Sequence, residues 1–174
     1  LKKLLMISAY RPSKNFDIIN KIIPYLKDDD LNYEFHITIS NRDYNKLFKG
    51  KEKWVKNHGK TFAKDCPKLY NSCDAMFLPS HLECFSASYA EAMKMEKPIL
   101  TSDLSFAHTV CGNAALYFDN TNPEDISSKI KCLFHDKTLY SKLIKNGTEQ
   151  LKSYMDSKQR ASRYLNICRS IAKK

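Results

Sequence analysis

Short apolar runs alternate with stretches of helical periodicity as far as Phe118, and this alternation restricts the fold more than any other feature of the chain. The runs Leu4–Ser8, Phe35–Ser40, Trp54–His58, Ala75–Leu78, Ile99–Thr101 and Ala115–Phe118 read as strands, the third being the weakest. Most are continuously apolar, as expected of strands covered on both faces. Between them, Phe16, Ile19, Ile22, Ile23 and Leu26 repeat at helical spacing behind Asn15, a candidate cap. Asp65-Cys66-Pro67 opens a short helix ending near Asn71, and Phe85–Met95 forms another, stopped ahead of Pro98. Parallel neighbours need crossover helices, so the pattern predicts an α/β fold: a doubly wound, Rossmann-like parallel sheet of about six strands with helices on both faces. After Phe118 the pattern turns wholly helical, from Asn122-Pro123-Glu124 through Phe134, then Leu139–Lys152, then Ser157–Ala172. The last helix belongs either to the core or to a neighbour outside this chain.

The 174 residues fit one domain, spanning 1–174, and 43% apolar content suffices for a full core. The net charge of +10 leaves nucleic acid, anionic lipid and phosphorylated small molecules open as partners, alongside a plain solubility role for dispersed lysines. Nucleic-acid binding expects a basic stripe interleaved with exposed aromatics. Only Lys49, Lys51, Lys53, Trp54 and Lys56 approach one, so no nucleic-acid partner is expected. The six cysteines show no C-x-x-C pair and no zinc spacing, which predicts free, reduced, buried thiols, with Cys73, Cys132 and Cys168 in element interiors, and no metal site. Asp28-Asp29-Asp30 reads as a solvated turn rather than a ligand cluster. No signal core and no run of about 20 apolar residues is present. A cytoplasmic location is expected, with peripheral contact to the inner face of an anionic membrane left open by the charge.

The densest chemistry lies in Pro79-Ser80-His81-Leu82-Glu83-Cys84-Phe85-Ser86-Ala87-Ser88-Tyr89-Ala90-Glu91, where a strand runs through a loop into a helix. Ligands of open α/β sheets bind outside the carboxyl ends of the strands. The amides of Phe85, Ser86, Ala87 and Ser88 are read as the open end of a helix that favours an anion. Helical side chains lean toward the N-terminus, so Glu91 is expected to point back to the loop that carries Glu83. Two carboxylates repel phosphate but accept hydrogen bonds from hydroxyl pairs. Together with the open amides they suit a phosphorylated ligand with hydroxylated rings on both sides of its phosphates. Either glutamate alone would be an ordinary solvated residue.

The spaced motifs resemble the signature of group 1 (family 4) retaining glycosyltransferases of the GT-B fold. They are Pro79-Ser80, Glu83 and, eight residues on, Glu91, then Ala92-Met93, Pro98-Ile99-Leu100 and Ser102-Asp103. Val110-Cys111-Gly112-Asn113-Ala114-Ala115, Lys14-Asn15 after the first strand, and Leu69-Tyr70 with Asp74 extend the similarity across most of the chain. The resemblance implies the C-terminal, donor-binding half of a two-domain enzyme, its N-terminal acceptor domain lying outside this sequence. It implies an NDP-sugar donor (UDP- or GDP-linked), no metal or other cofactor, and retaining transfer of a hexose to a glycan or lipid-linked acceptor in surface polysaccharide or lipopolysaccharide assembly. Carried over residue by residue, Lys14 contacts the diphosphate, Glu83 accepts hydroxyls of the transferred sugar as the candidate catalytic residue, and Glu91 takes the ribose hydroxyls. Gly59 and Lys60 resemble the loop near the nucleobase, more weakly.

Departures from the pattern are Cys84 and Ser86 where the family has glycines, and Thr109 where it has glutamate. Arg11 either replaces the family arginine or is a turn residue before Pro12. His81 and His108 read as loop and surface residues. The competing reading is a non-transferase nucleotide-binding domain, epimerase-like or regulatory, which shares the sheet without the paired glutamates.

Overall fold

The computed structural model describes residues 1–172; the final two residues of the 1–174 span lie outside the described residues. Six parallel strands form one sheet in the order β3-β2-β1-β4-β5-β6. They are β1 (Lys2–Met6), β2 (Tyr33–Ile37), β3 (Val55–Asn57), β4 (Ala75–Leu78), β5 (Ile99–Ser102) and β6 (Ala115–Phe118). The register aligns Leu4 with Phe35 on one side of β1 and with Ala75 on the other. The order reverses between β1 and β4. Their carboxyl ends therefore diverge into loops that leave in opposite directions, opening a crevice at that point.

Two apolar layers cover the sheet. On one face Leu4, Met6, Phe35 and Phe77 pack with Ile19 and Ile22 of α1 (Ile18–Leu26) and with Ile126 and Ile130 of α6 (Pro123–His135). On the other, Leu5, Met76 and Leu78 meet Tyr70 of α3 (Cys66–Ser72) and Tyr89 and Met93 of α4 (Ala87–Lys94). Helix α7 (Lys137–Lys152) closes over α4, where Gly147 lets the two helices approach. The carboxyl-terminal helix α8 (Ser157–Ala172) has no buried residue, so it is no part of this core.

Several boundaries differ from those expected. Strands β1 and β2 both stop before Ser8 and Thr38, because there the Thr38 hydroxyl takes the Ser8 amide at 3.1 Å and the backbone ladder ends. Helix α1 begins at Ile18, and Asn15 does not cap it. Asn15 instead sits at φ 55°, leaving the 3-10 turn Pro12–Lys14, and its amide donates to the Asn120 carbonyl at 2.9 Å. Asparagine tolerates this left-handed geometry better than most residues. Two helices were not foreseen: α2 (Asn41–Phe48), capped by the Ser40 hydroxyl on the Asp43 amide, and α5 (Ser105–Cys111). Of the cysteines, Cys66, Cys73 and Cys111 are buried as expected, but Cys84, Cys132 and Cys168 are exposed, in the loop before α4, on α6 and on α8. All six are free. Asp29 is not a solvated turn residue either: it accepts from the Tyr33 hydroxyl at 2.7 Å and bonds His135 at 2.8 Å. Those bonds hold its carboxyl below the usual range although burial alone would raise it.

Candidate active site

The crevice between β1 and β4 is walled by the loop carrying Lys14 and the loop carrying Glu83. Lys14 Nζ donates to Glu83 Oε1, and the pair is largely withdrawn from solvent, with 16% and 8% of the side chains exposed. The Ser80 hydroxyl donates to the same carboxylate oxygen at 2.9 Å. Ser80 is itself fully buried, and its carbonyl accepts from the Ser102 hydroxyl at 2.7 Å and the Asn120 amide at 2.9 Å. Asn120 also meets His81 Nδ1 at 3.1 Å, and the His81 amide donates to the Ser13 carbonyl. The two loops are thus fastened to each other and to the end of β6 by the chain's own hydrogen bonds.

Helix α4 starts later than the sequence indicated. Phe85 lies outside it and is exposed, and Ser86 takes the cap position in extended geometry with no side-chain bond to the helix. The amide end of α4 therefore begins at Ala87 rather than Phe85. The small side chains of Ala87 and Ser88 leave room for a ligand to approach it.

Glu91 does not turn back to the Glu83 loop. Its Oε2 accepts from the Tyr70 hydroxyl of α3 at 3.1 Å. It lines a pocket of about 330 Å³ between α3 and α4, with Ala63, Cys66, Pro67, Lys94 and Met95. The physical reason is the phenol: Tyr70, buried on α3, supplies a hydroxyl donor that takes this oxygen. Burial and then the charge of Glu91 push the phenol of Tyr70 well above its ordinary range, so it remains a donor. Burial likewise raises the Cys66 thiol, which keeps it neutral.

The other sequence candidates lie apart from these two clusters. Lys60 lines a third hollow with Ser8, Thr38, Ser40 and Thr61, where the ends of β1 and β2 separate. Gly59, at φ 71°, turns the chain into it. Arg11 is exposed ahead of the 3-10 turn and makes no ion pair among the described residues. His108 is half-exposed against Asp103. Trp54 is partly buried against the core, so the basic stretch around it presents no free aromatic. Among the described residues no three His, Cys, Asp or Glu side chains are grouped to hold a metal ion. The sequence offered Ser80 only as part of a motif, with no role, and gave no sign of Asn120, since a single buried hydroxyl or amide carries no periodic signal.

The family model for glycosyl transferases group 1 matches residues 1–150. The chain belongs to this family. It is similar to the N,N'-diacetylbacillosaminyl-diphospho-undecaprenol alpha-1,3-N-acetylgalactosaminyltransferase of Campylobacter jejuni, 34% identical over 105 residues, which cover 59% of this chain and 28% of that protein. Among solved structures it superposes on sucrose-phosphate synthase of Thermosynechococcus elongatus with a TM-score of 0.85 at 14% identity, covering 99% of this chain and 46% of that one. It also superposes on Anabaena HepE in complex with UDP, with a TM-score of 0.78 at 16% identity, covering 99% and 49%. The chain spans half or less of the length of each of these proteins. This group 1 family member has the six-stranded, Rossmann-like parallel sheet and helical carboxyl-terminal end expected from its sequence, the fold of its GT-B neighbours.

Proposed function

We propose that this chain is the donor-binding half of a retaining glycosyltransferase that moves a hexose from an NDP-sugar to a lipid-linked or glycan acceptor. The observation that carries the reading is the Lys14–Glu83 pair at the β1/β4 switch point. A cation and a carboxylate held together at such a crevice match the two halves of a sugar phosphate. On binding, the donor's phosphate takes over Lys14, and the sugar hydroxyls take over Glu83. This exchange of partners keeps both buried charges satisfied, which an entering neutral ligand would not do. In the transfer step Lys14 and the amide end of α4 stabilise the negative charge that grows on the departing diphosphate.

The nucleoside fits the Glu91 pocket, whose volume is in the range of small-ligand sites. Its ribose hydroxyls donate to the carboxylate. The bound UDP of HepE supports a uridine nucleotide, and the lipid-linked reaction in the Campylobacter protein's name supports an undecaprenol-type acceptor. Surface glycan assembly at a membrane face is the setting this implies. The acceptor is held by a second domain outside this sequence, and donor binding uses protein groups rather than a metal.

The test is calorimetry with UDP, GDP and their hexose conjugates. Wild type should bind one nucleotide family, and Glu91→Ala should lose about tenfold for the nucleoside diphosphate and its conjugate alike, as expected for one charge-assisted hydrogen bond. Unchanged affinity of Glu91→Ala for both ligands would remove the ribose assignment. No binding of any nucleotide by wild type would remove the donor-domain reading.

A further inference from the structure

Tyr70 was legible in the sequence only as part of a motif, yet its ring is 2% exposed and its one hydroxyl proton faces two acceptors. These are Glu91 Oε2 at 3.1 Å and the Ser88 carbonyl at 3.3 Å. The contact joins α3 to α4, two helices separated by a strand of the sheet. Glu91 itself is half-buried, and among the described residues nothing bonds its other oxygen, Oε1. Left alone, a glutamate on a helix face samples several rotamers and must be ordered when a ligand binds. Here one oxygen is already fixed by a rigid aromatic ring whose position is set by the core.

We propose that Tyr70 is a positioning residue: it holds Glu91 Oε2 so that the carboxylate is presented to the pocket as a ready acceptor for the vicinal hydroxyls of a ribose. The inference rests on the nucleotide-sugar reading of Glu91 and adds to it the group that makes the carboxylate selective. Tyr70 does not touch the ligand's reacting atoms. Ribose selectivity is the property this geometry produces. A carboxylate fixed beside the pocket distinguishes a ribonucleotide from its 2′-deoxy counterpart, because only the first offers the adjacent hydroxyl pair.

The experiment measures binding of UDP, 2′-deoxy-UDP, GDP and 2′-deoxy-GDP to wild type, Tyr70→Phe and Glu91→Ala, with inorganic pyrophosphate as a ligand that does not reach Glu91. Wild type should prefer the ribonucleotide by about tenfold, the discrimination of a charge-assisted hydrogen bond. Tyr70→Phe should reduce that preference to about threefold or less, with pyrophosphate binding unchanged. If the phenylalanine variant does not fold, Tyr70→Met fills the cavity with a flexible apolar chain and should show the same loss. A Tyr70 variant that weakens ribo- and deoxynucleotide equally, keeping the preference, overturns the inference and leaves Tyr70 a packing residue. A Glu91→Ala protein that keeps the preference instead overturns the ribose assignment beneath it, a separate result.

Discussion

Lys14 and Glu83 are each other's ion-pair partners, and this changes what each substitution should do. Removing the negative partner while keeping its shape, Glu83→Gln, frees the Lys14 cation for phosphate. Affinity for the bare nucleoside diphosphate should rise by about three- to tenfold, the scale of one charge-assisted contact. Affinity for the sugar conjugate should rise less, because an amide is a poorer acceptor for its hydroxyls. Calorimetry of both ligands against wild type decides it; a diphosphate affinity that stays level in Glu83→Gln means the pair does not compete with phosphate. Glu83 was legible as a candidate from its place in the loop after a strand, and Lys14 from the family resemblance. Their mutual contact was not, since they are 69 positions apart and only the β1–β4 pairing brings their loops together.

At the scale of elements, the close approach of α4 and α7 rests on Gly147. A Cβ there would sit 3.3 Å from Met93 Cγ and 3.8 Å from Met93 Cα. Gly147→Val should therefore destabilise the fold by about 1–3 kcal/mol through overpacking, with thermal or urea melting as the measure. Unchanged stability would show that α7 can move away from α4 freely. The β2–β3 edge carries a different liability. His36 is buried, accepts or donates to His58 at 2.8 Å and bonds Glu34 at 2.5 Å. Burial lowers its pKa, opposed by Glu34, while Lys3 and Lys56 add to the lowering. His58, stacked on it, is lowered by burial and by His36. The unfolded chain then binds more protons than the native one below the ordinary histidine value, about 6.5. Stability is full above that pH and declines as pH falls beneath it. Melting temperature should therefore drop between about pH 7 and pH 5, and His36→Asn should flatten the slope. A wild-type curve that is level over that range contradicts the burial argument.

The molecule as a whole has a complete core of its own: both faces of the sheet are covered, and α8 stands outside it. The 174-residue chain is therefore expected to fold as a unit and to bind a nucleotide sugar. It is not expected to transfer the sugar. Aligning an acceptor with the sugar carbon and excluding water can account for roughly 7–11 kcal/mol of barrier, and the proposed reading gives those tasks to a second domain. An assay with donor and an undecaprenol-linked acceptor, scored for glycosylated product, tests this. Robust turnover by the chain alone would place the entire active site within these residues.

The sequence by itself determined the sheet and its parallel sense, because apolar runs separated by helical periods can be buried in few other ways. It also determined that Glu83 lies in the loop after β4 and Glu91 on the helix that follows, since spacing within one strand–loop–helix unit is local. It did not locate α2, whose polar residues leave few apolar positions for a periodic signal, nor the start of α4, where Phe85 mimics a helix position but stays in the loop. The tertiary structure alone decided that Glu83 pairs with Lys14 and Glu91 with Tyr70, rather than both carboxylates facing one helix end. It alone decided that Ser80 and Asn120 fasten the loops. These contacts join elements that are distant in sequence, and their energies depend on burial and on the direction of a single hydrogen bond, neither of which any local pattern encodes.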